Sequence, residues 1–453
     1  MVRKIITQKL TNPFRDDYEF LRDTPLDGAN FFFFEQNMTP FLRGEPFAPL
    51  GRKPAIHAIW TRPIDGDRSF GRIQVSRAVR QALQSRFEVR ESILQSLTSK
   101  MTVGRAARAG TAFIRHAFRG QILPLQCLLY SNRQEIDRVI AEIKHDVEAV
   151  YIDGIRCLPF LHRLKSARPQ LAIVTDLDDL MSRRMGLLLE LNQAPSTGYM
   201  KKQMPRIVEW LLQSRTVARS ILRYERNALR VIERDIVTAS DVVVLISTAD
   251  AAVLSARIKN CKKVVGIAPP VKVAREPRSI GKDKLRFVFV GSDALRQNEL
   301  TIDALIDIWQ RHKITTPLVI YGDQQRKLSL PAHVTMPGYA ETIDDIYQDG
   351  SILLSPSYLA GGLKTKVLEA FANGAAVIGN SVTFEGIDIG EYPLLIENEA
   401  ELVLILQNPS NYNEIIDAAA THGAAVVREK HDPTTFAVRW TTLVADSILA
   451  RSV

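Results

Sequence analysis

Residues 355–379 hold the residue types best suited to chemistry: Ser-Pro-Ser-Tyr-Leu-Ala-Gly-Gly-Leu-Lys-Thr-Lys-Val-Leu-Glu-Ala-Phe-Ala-Asn-Gly-Ala-Ala-Val-Ile-Gly. Ile352, Leu353 and Leu354 form a short apolar run that stops at Pro356. Gly361 and Gly362 allow a sharp turn and close approach of backbone to a ligand. Val367, Leu368, Ala370 and Phe371 then predict a helix with one apolar face. Gly374 supplies the left-handed residue that ends it. A helix opening after paired glycines aims free N–H groups and a positive dipole end at its ligand, which favours an anion. Lys364 and Lys366 add charge there. Glu369, about two turns in, is an acceptor for sugar or ribose hydroxyls. An anion beside a polyol describes a sugar nucleotide.

Such a site needs sheets to carry it. The chain has 453 residues, 46% hydrophobic and 24% charged, enough for two or three soluble domains on a prior of about 150 residues each. No apolar run reaches the roughly 18 residues of a spanning helix. Met1 to Leu10 has no apolar core of a secretory signal. Cys127, Cys157 and Cys261 are too few and too widely spaced for a zinc site or a disulfide framework. A cytoplasmic protein is expected, with peripheral contact at the inner membrane face as an option.

Charge is uneven. Residues 1–282 hold 46 Lys and Arg against 28 Asp and Glu, and residues 283–453 hold 13 against 22. The first part could therefore face an anionic membrane surface, a phosphate-bearing acceptor or nucleic acid. Its arginines lack the interleaved aromatics of a recognisable nucleic-acid motif, which argues against the last. Arg72, Arg77, Arg80, Arg86, Arg90, Arg105, Arg108, Arg115 and Arg119 read mostly as the outer faces of one or two helices over 72–119.

Strands are expected at Ala55–Trp60, Ile122–Tyr130, Ala149–Ile152, Leu171–Thr175 and Asp241–Ser247, with helices between. Val264–Ile267 closes that set. The alternation predicts a parallel sheet with helices on both faces. Gly66 and Gly71, after the first strand, form an acceptor-side loop without the dinucleotide spacing. Asp176, Asp178 and Asp179 lie just past a strand end, where ligands bind in such sheets. They could act as a base, contact acceptor hydroxyls, hold a metal, or in the case of Asp176 or Asp178 cap the next helix. His57, His116 and His162 lie nearby, and a lone histidine is most often structural. Pro269-Pro270 and residues 275–284 read as a linker, and a second alternating set starts at Arg286. The expected division is an irregular extension over 1–50, an acceptor domain over 51–275 and a donor domain over 276–453 whose final helices pack back. The fold class is α/β.

From about Arg286 to Gly386 the chain resembles the donor domain of GT-B type glycosyltransferases of the glycosyl transferases group 1 kind. Phe289-Val-Gly-Ser292 looks like their donor loop, with Arg296 and Asn298 reaching the diphosphate. Gly338-Tyr339 looks like the turn beside the nucleobase. Gly361 to Gly374 looks like the donor motif, with Glu369 on the ribose, and Phe384-Glu-Gly386 matches the following segment. The resemblance implies a GT-B architecture of two Rossmann-like domains facing a cleft. It implies donor-binding roles for Gly291, Ser292, Arg296, Tyr339, Gly361, Gly362, Lys364, Lys366 and Glu369, and no metal or cofactor. It further implies hexosyl-type transfer from a nucleotide sugar to a glycan, lipid-linked or other surface-polysaccharide acceptor. Many relatives carry two glutamates spaced E-x7-E. The first falls here on Gly361, so the sugar end of the site and the stereochemical outcome stay open. If the outcome is inverting, Asp176, Asp178 or Asp179 would serve as base. A sugar-nucleotide epimerase of the same fold and a catalytically silent subunit are the alternatives.

Overall fold

The computed structural model describes residues 53–65, 71–97, 123–191, 214–277 and 285–452. Residues 54–453 form one compact unit that holds two all-parallel sheets. Gly66, Arg105, Arg108, Arg115, Arg119, His116 and the extension over 1–50 lie outside the described residues.

The first sheet begins with β1 (Ala55–Trp60), followed by α1 (Arg72–Arg86) and β2 (Glu88–Ile93). Next come α2 (Leu125–Leu128), α3 (Arg133–Glu142), β3 (Val147–Asp153), α4 (Leu158–Ala167) and β4 (Ala172–Asp178). α5 (Met181–Glu190), α6 (Arg215–Ala239), β5 (Val242–Leu245), α7 (Thr248–Arg257) and β6 (Val264–Gly266) complete it. Its order is β2-β1-β3-β4-β5-β6. Sequence order reverses between β1 and β3, and a crevice opens at the carboxyl ends of the strands at such a point. The inner strands are near-continuous apolar runs because helices cover both faces.

The second sheet uses β7 (Arg286–Val290), α8 (Arg296–His312), β8 (Leu318–Tyr321), β9 (Val334–Gly338) and α9 (Ile343–Ile346). β10 (Ser351–Leu354), α10 (Thr365–Ala372) and β11 (Val377–Ile378) follow. The order is β11-β10-β7-β8-β9, so its reversal lies between β7 and β10. α11 (Glu399–Gln407) and α12 (Asn413–Lys430) flank this sheet. The chain ends in α13 (Pro433–Ser452), which returns to the first sheet and packs on α1, β3 and β4. There Arg439 donates to the Gly266 carbonyl at 3.1 Å, and Trp440 meets Tyr151 edge-on at 5.7 Å.

Two expectations fail. Ile122–Tyr130 contributes no strand among its described residues. Pro124 stands at the N-cap of α2, and its missing N–H suits a helix start rather than a sheet ladder. Glu88–Ile93, expected within surface helices, is an edge strand. Only one of its six residues is buried, so it lacks the apolar alternation that marks a strand. No helix among the described residues is long and apolar enough to cross a membrane.

Candidate functional site

Both reversal points carry polar clusters. In the second half, β10 runs into the paired glycines. Gly361 has φ 97° and Gly362 φ 70°, a region that L side chains rarely adopt. Gly374 also has positive φ, at 72°, just past α10. α10 buries Val367, Leu368, Ala370 and Phe371, which fixes the helix against the core. Lys366 is held over the Phe289 ring at 4.0 Å and donates to Asn298 Oδ1 at 3.1 Å. It ion-pairs with no carboxylate among the described residues. Burial, with the neighbouring Lys364 charge, pushes its pKa down to about 7 against the pull of Glu369. Burial likewise raises the Glu369 carboxyl, with Lys366 opposing. The Glu369 carboxylate accepts no hydrogen bond among the described residues. Both are partly buried and neither has a salt bridge among the described residues, as suits a site that an external ligand completes.

Other predicted donor residues take different places. Lys364 is buried and donates to the carbonyls of Gly361 (3.2 Å) and Gly362 (3.1 Å), so it shapes the loop from inside. Gly291 lies against Asn298, where a Cβ would come within 2.6 Å of the amide side chain. Ser292 Oγ donates to the Asp323 carbonyl at 2.6 Å. Arg296 is paired with Glu299 at 2.6 Å. Tyr339, just after β9, is 72% exposed.

The first-half cluster is built differently. Arg72, at the start of α1, reaches between the ends of β3 and β4. Its guanidinium meets Asp153 and, at 2.8 Å, Asp176, and it donates to Asp178 at 3.2 Å. Asp176 also accepts from the Tyr151 hydroxyl at 2.9 Å and from Asp178 N at 3.0 Å. Thr61 donates to Asp153 at 3.2 Å. Burial pushes Asp153 up, but Arg72 and Arg62 outweigh it and hold the carboxyl below its usual range. Asp178 sits at a register shift of β4 with φ 69°. Its side chain is 30% exposed. Burial and the charges of Asp179, Asp176 and Asp153 carry it up to about 7 despite Arg72. Gly71, ahead of α1, has φ 33°.

The structure thus separates the three predicted aspartates. Asp176 is consumed by internal bonds. Asp179 pairs with Arg184 at 2.6 Å and presses on Gly362, where a Cβ would lie 2.5 Å from Oδ1. Asp178 alone combines exposure with a raised pKa. Neither Asp176 nor Asp178 caps α5: Leu180 is its N-cap residue, and the Leu180 amide donates to Asp250 at 3.2 Å. The Arg72 guanidinium fills the centre of the cluster, and no group of three metal-ligating residues is found among the described residues. His57 is not in the cleft chemistry. It bonds Ser92 at 2.8 Å, and burial lowers its pKa to about 4.

Sequence reasoning missed the residues that join the halves. Arg183 donates to Asp250 at 2.8 Å and reaches across to Glu385. Glu385 in turn accepts from the Gly361 amide at 2.7 Å, and Asp250 from the Gly362 amide at 3.4 Å. Arg72 was hidden among arginines read as surface. Its partners lie 81 and 106 residues away, so no local pattern announces them.

Residues 284–408 match the family of glycosyl transferases group 1. Sucrose-phosphate synthase from Thermosynechococcus elongatus is similar over 88% of this chain and 100% of its own, at 14% identity and a TM-score of 0.59. HepE from Anabaena, in complex with UDP-glucose, is similar over 87% and 99%, at 12% identity and a TM-score of 0.52. The chain has the GT-B fold. TarM of S. aureus, at 13% identity and a TM-score of 0.48, matches 68% of this chain and 57% of its own length, so this chain spans little more than half of that protein. A search of curated proteins returned no match by sequence. The group 1 match covers β7 to α11, the whole of the second sheet, and so includes every predicted donor residue.

Proposed function

We propose that this chain transfers a sugar from a nucleotide-sugar donor to a hydroxyl of a glycan or lipid-linked acceptor. One observation carries the proposal. Lys366, Glu369 and the N-terminus of α10 follow directly on the Gly361-Gly362 loop, partly buried and without a salt bridge among the described residues. A diphosphate would satisfy Lys366 and the helix N-terminus, and a ribose would satisfy Glu369. Tyr339, exposed just after β9, would cover a base. HepE, of the same fold, binds UDP-glucose, which supports a nucleotide sugar as the ligand class.

In the transfer, the bond from the anomeric carbon to the diphosphate oxygen breaks and a bond to the acceptor oxygen forms. The acceptor proton passes to Asp178 if the path is inverting, or to the leaving diphosphate if it is retaining. The buried positive charge of Lys366 stabilises the leaving group in either case, without requiring a metal. Arg219, Arg223 and Arg230 are exposed along α6 and offer an electropositive face to an anionic acceptor or membrane surface.

The test is a screen of UDP-, GDP-, dTDP- and ADP-sugars, read by thermal shift and by release of free nucleotide. At least one should raise the melting temperature. If none stabilises the protein or is turned over, the donor-site function is wrong.

A further inference from the structure

Position 361 has no side chain, yet a carboxylate stands on its backbone. Glu385 arrives from the loop after β11 and accepts the Gly361 amide at 2.7 Å. Its other oxygen is held by Arg183, from α5 of the first half. Arg183 is itself fixed by Asp250 at 2.8 Å, so the carboxylate is positioned by a guanidinium anchored on the opposite wall. The Glu385 side chain is 15% exposed, neither sealed in the core nor freely solvated. It is also the strongest charge acting on the buried Lys364, which braces the same loop.

With the ribose at Glu369 and the diphosphate at the start of α10, the donor sugar falls at the glycine loop. We propose that Glu385 is the carboxylate that reads the hydroxyls of the donor sugar, and that Arg183 is the positioning residue that aims it. A carboxylate fixed in this way by Arg183 and the Gly361 amide keeps lone pairs that accept from sugar hydroxyls of one set direction. That direction tells epimers apart. A site built to hydrogen-bond a hydroxyl rejects analogues lacking it far more strongly than an apolar pocket does. The assignment rests on the donor-site function proposed above.

The experiment measures binding of UDP, UDP-glucose and UDP-galactose, and of GDP with GDP-mannose, to wild type, Glu385→Gln, Glu385→Ala and Arg183→Met. Turnover is measured in parallel. In wild type the sugar should change affinity relative to the bare diphosphate, and the UDP epimers should differ. In both Glu385 variants the affinity for the bare nucleoside diphosphate should stay within about threefold, which also shows that the fold is intact. The sugar-dependent difference should collapse, and kcat/KM should fall about 10- to 100-fold with loss of epimer preference. Arg183→Met should lose part of the preference. Glu385→Gln keeps the volume and an acceptor for Gly361, so it guards against collapse of the loop in the alanine variant. Unchanged epimer preference in both Glu385 variants overturns the assignment while leaving the donor site standing. Failure of wild type to bind any nucleoside diphosphate overturns both.

Discussion

The two halves share an architecture and treat charge in opposite ways. At the reversal point of the first sheet, Arg72 is surrounded by Asp153, Asp176 and Asp178. Each member of that cluster has a charged partner within the fold. At the reversal point of the second sheet, Lys366 is desolvated against Phe289 and Asn298, and Glu369 sits buried nearby. Neither has an ion pair among the described residues. A buried charge without a partner is costly, and a protein retains one where a ligand supplies the missing partner. The first-half cluster is therefore tied together by internal ion pairs, with Asp178 at its rim. The second half is incomplete until it is filled. On the function proposed above, anion recognition would fall to the second half and proton handling to the first.

Replacing Asp178 by Asn tests the proton side and carries the largest expected effect. A general base contributes about 10²- to 10⁴-fold, so kcat/KM should drop by that order. In wild type, only the ionised carboxylate accepts a proton. With its pKa raised to about 7, activity should rise with pH through about 7, and the variant should lose this acidic limb. A surviving limb in Asp178→Asn would remove the base from the first half. It would leave the leaving diphosphate as the acceptor of the proton.

Lys366→Met tests the anion side. Loss of a preorganised donor to a developing charge costs about 10²- to 10³-fold in turnover, with weaker diphosphate binding. The pH behaviour has a definite sign. The Lys366 pKa is depressed to about 7, against about 10.4 for a free lysine. Its contribution to folding stability is therefore complete above about 10.4 and is lost as pH falls through about 7. At pH 8 the unliganded side chain is mostly neutral. A bound diphosphate raises its pKa, so binding takes up a proton and affinity declines as pH rises above 7. Calorimetry in buffers of different ionisation enthalpy should show this uptake in wild type and not in Lys366→Met. Equal uptake in both would mean that Lys366 does not face the anion.

The same contrast explains what the sequence made legible. The second half was readable because its strands are short apolar runs ended by glycine or proline, as at Val290-Gly291, Tyr321-Gly322 and Leu354-Ser-Pro356. Its site is largely local, from Gly361 to Glu369. The first-half site is assembled from Thr61, Arg72, Tyr151 and Asp153 of β3, and Asp176 and Asp178 of β4, segments far apart in sequence. The Arg183–Glu385 link spans the two halves and has no local signature at either end. β2 escaped notice because an edge strand with polar residues on both faces shows no period.

α13 is a second place where the two halves depend on each other, and Trp440 is its largest fully buried side chain. The indole packs on Tyr151, whose hydroxyl holds Asp176, which in turn accepts the Asp178 amide. A helix that follows the second sheet in sequence thus supports the acid cluster of the other half. Trp440→Ala should cost about 3–5 kcal/mol of stability, seen as a lower midpoint in chemical denaturation. The functional consequence should be smaller and one-sided. The acidic limb assigned to Asp178 should shift as its support loosens. UDP affinity, set at a site that shares no partner with Trp440, should stay within about threefold. If UDP affinity falls while the acidic limb holds, α13 supports the donor side instead, and the division of labour between the halves is not the one drawn from their charges.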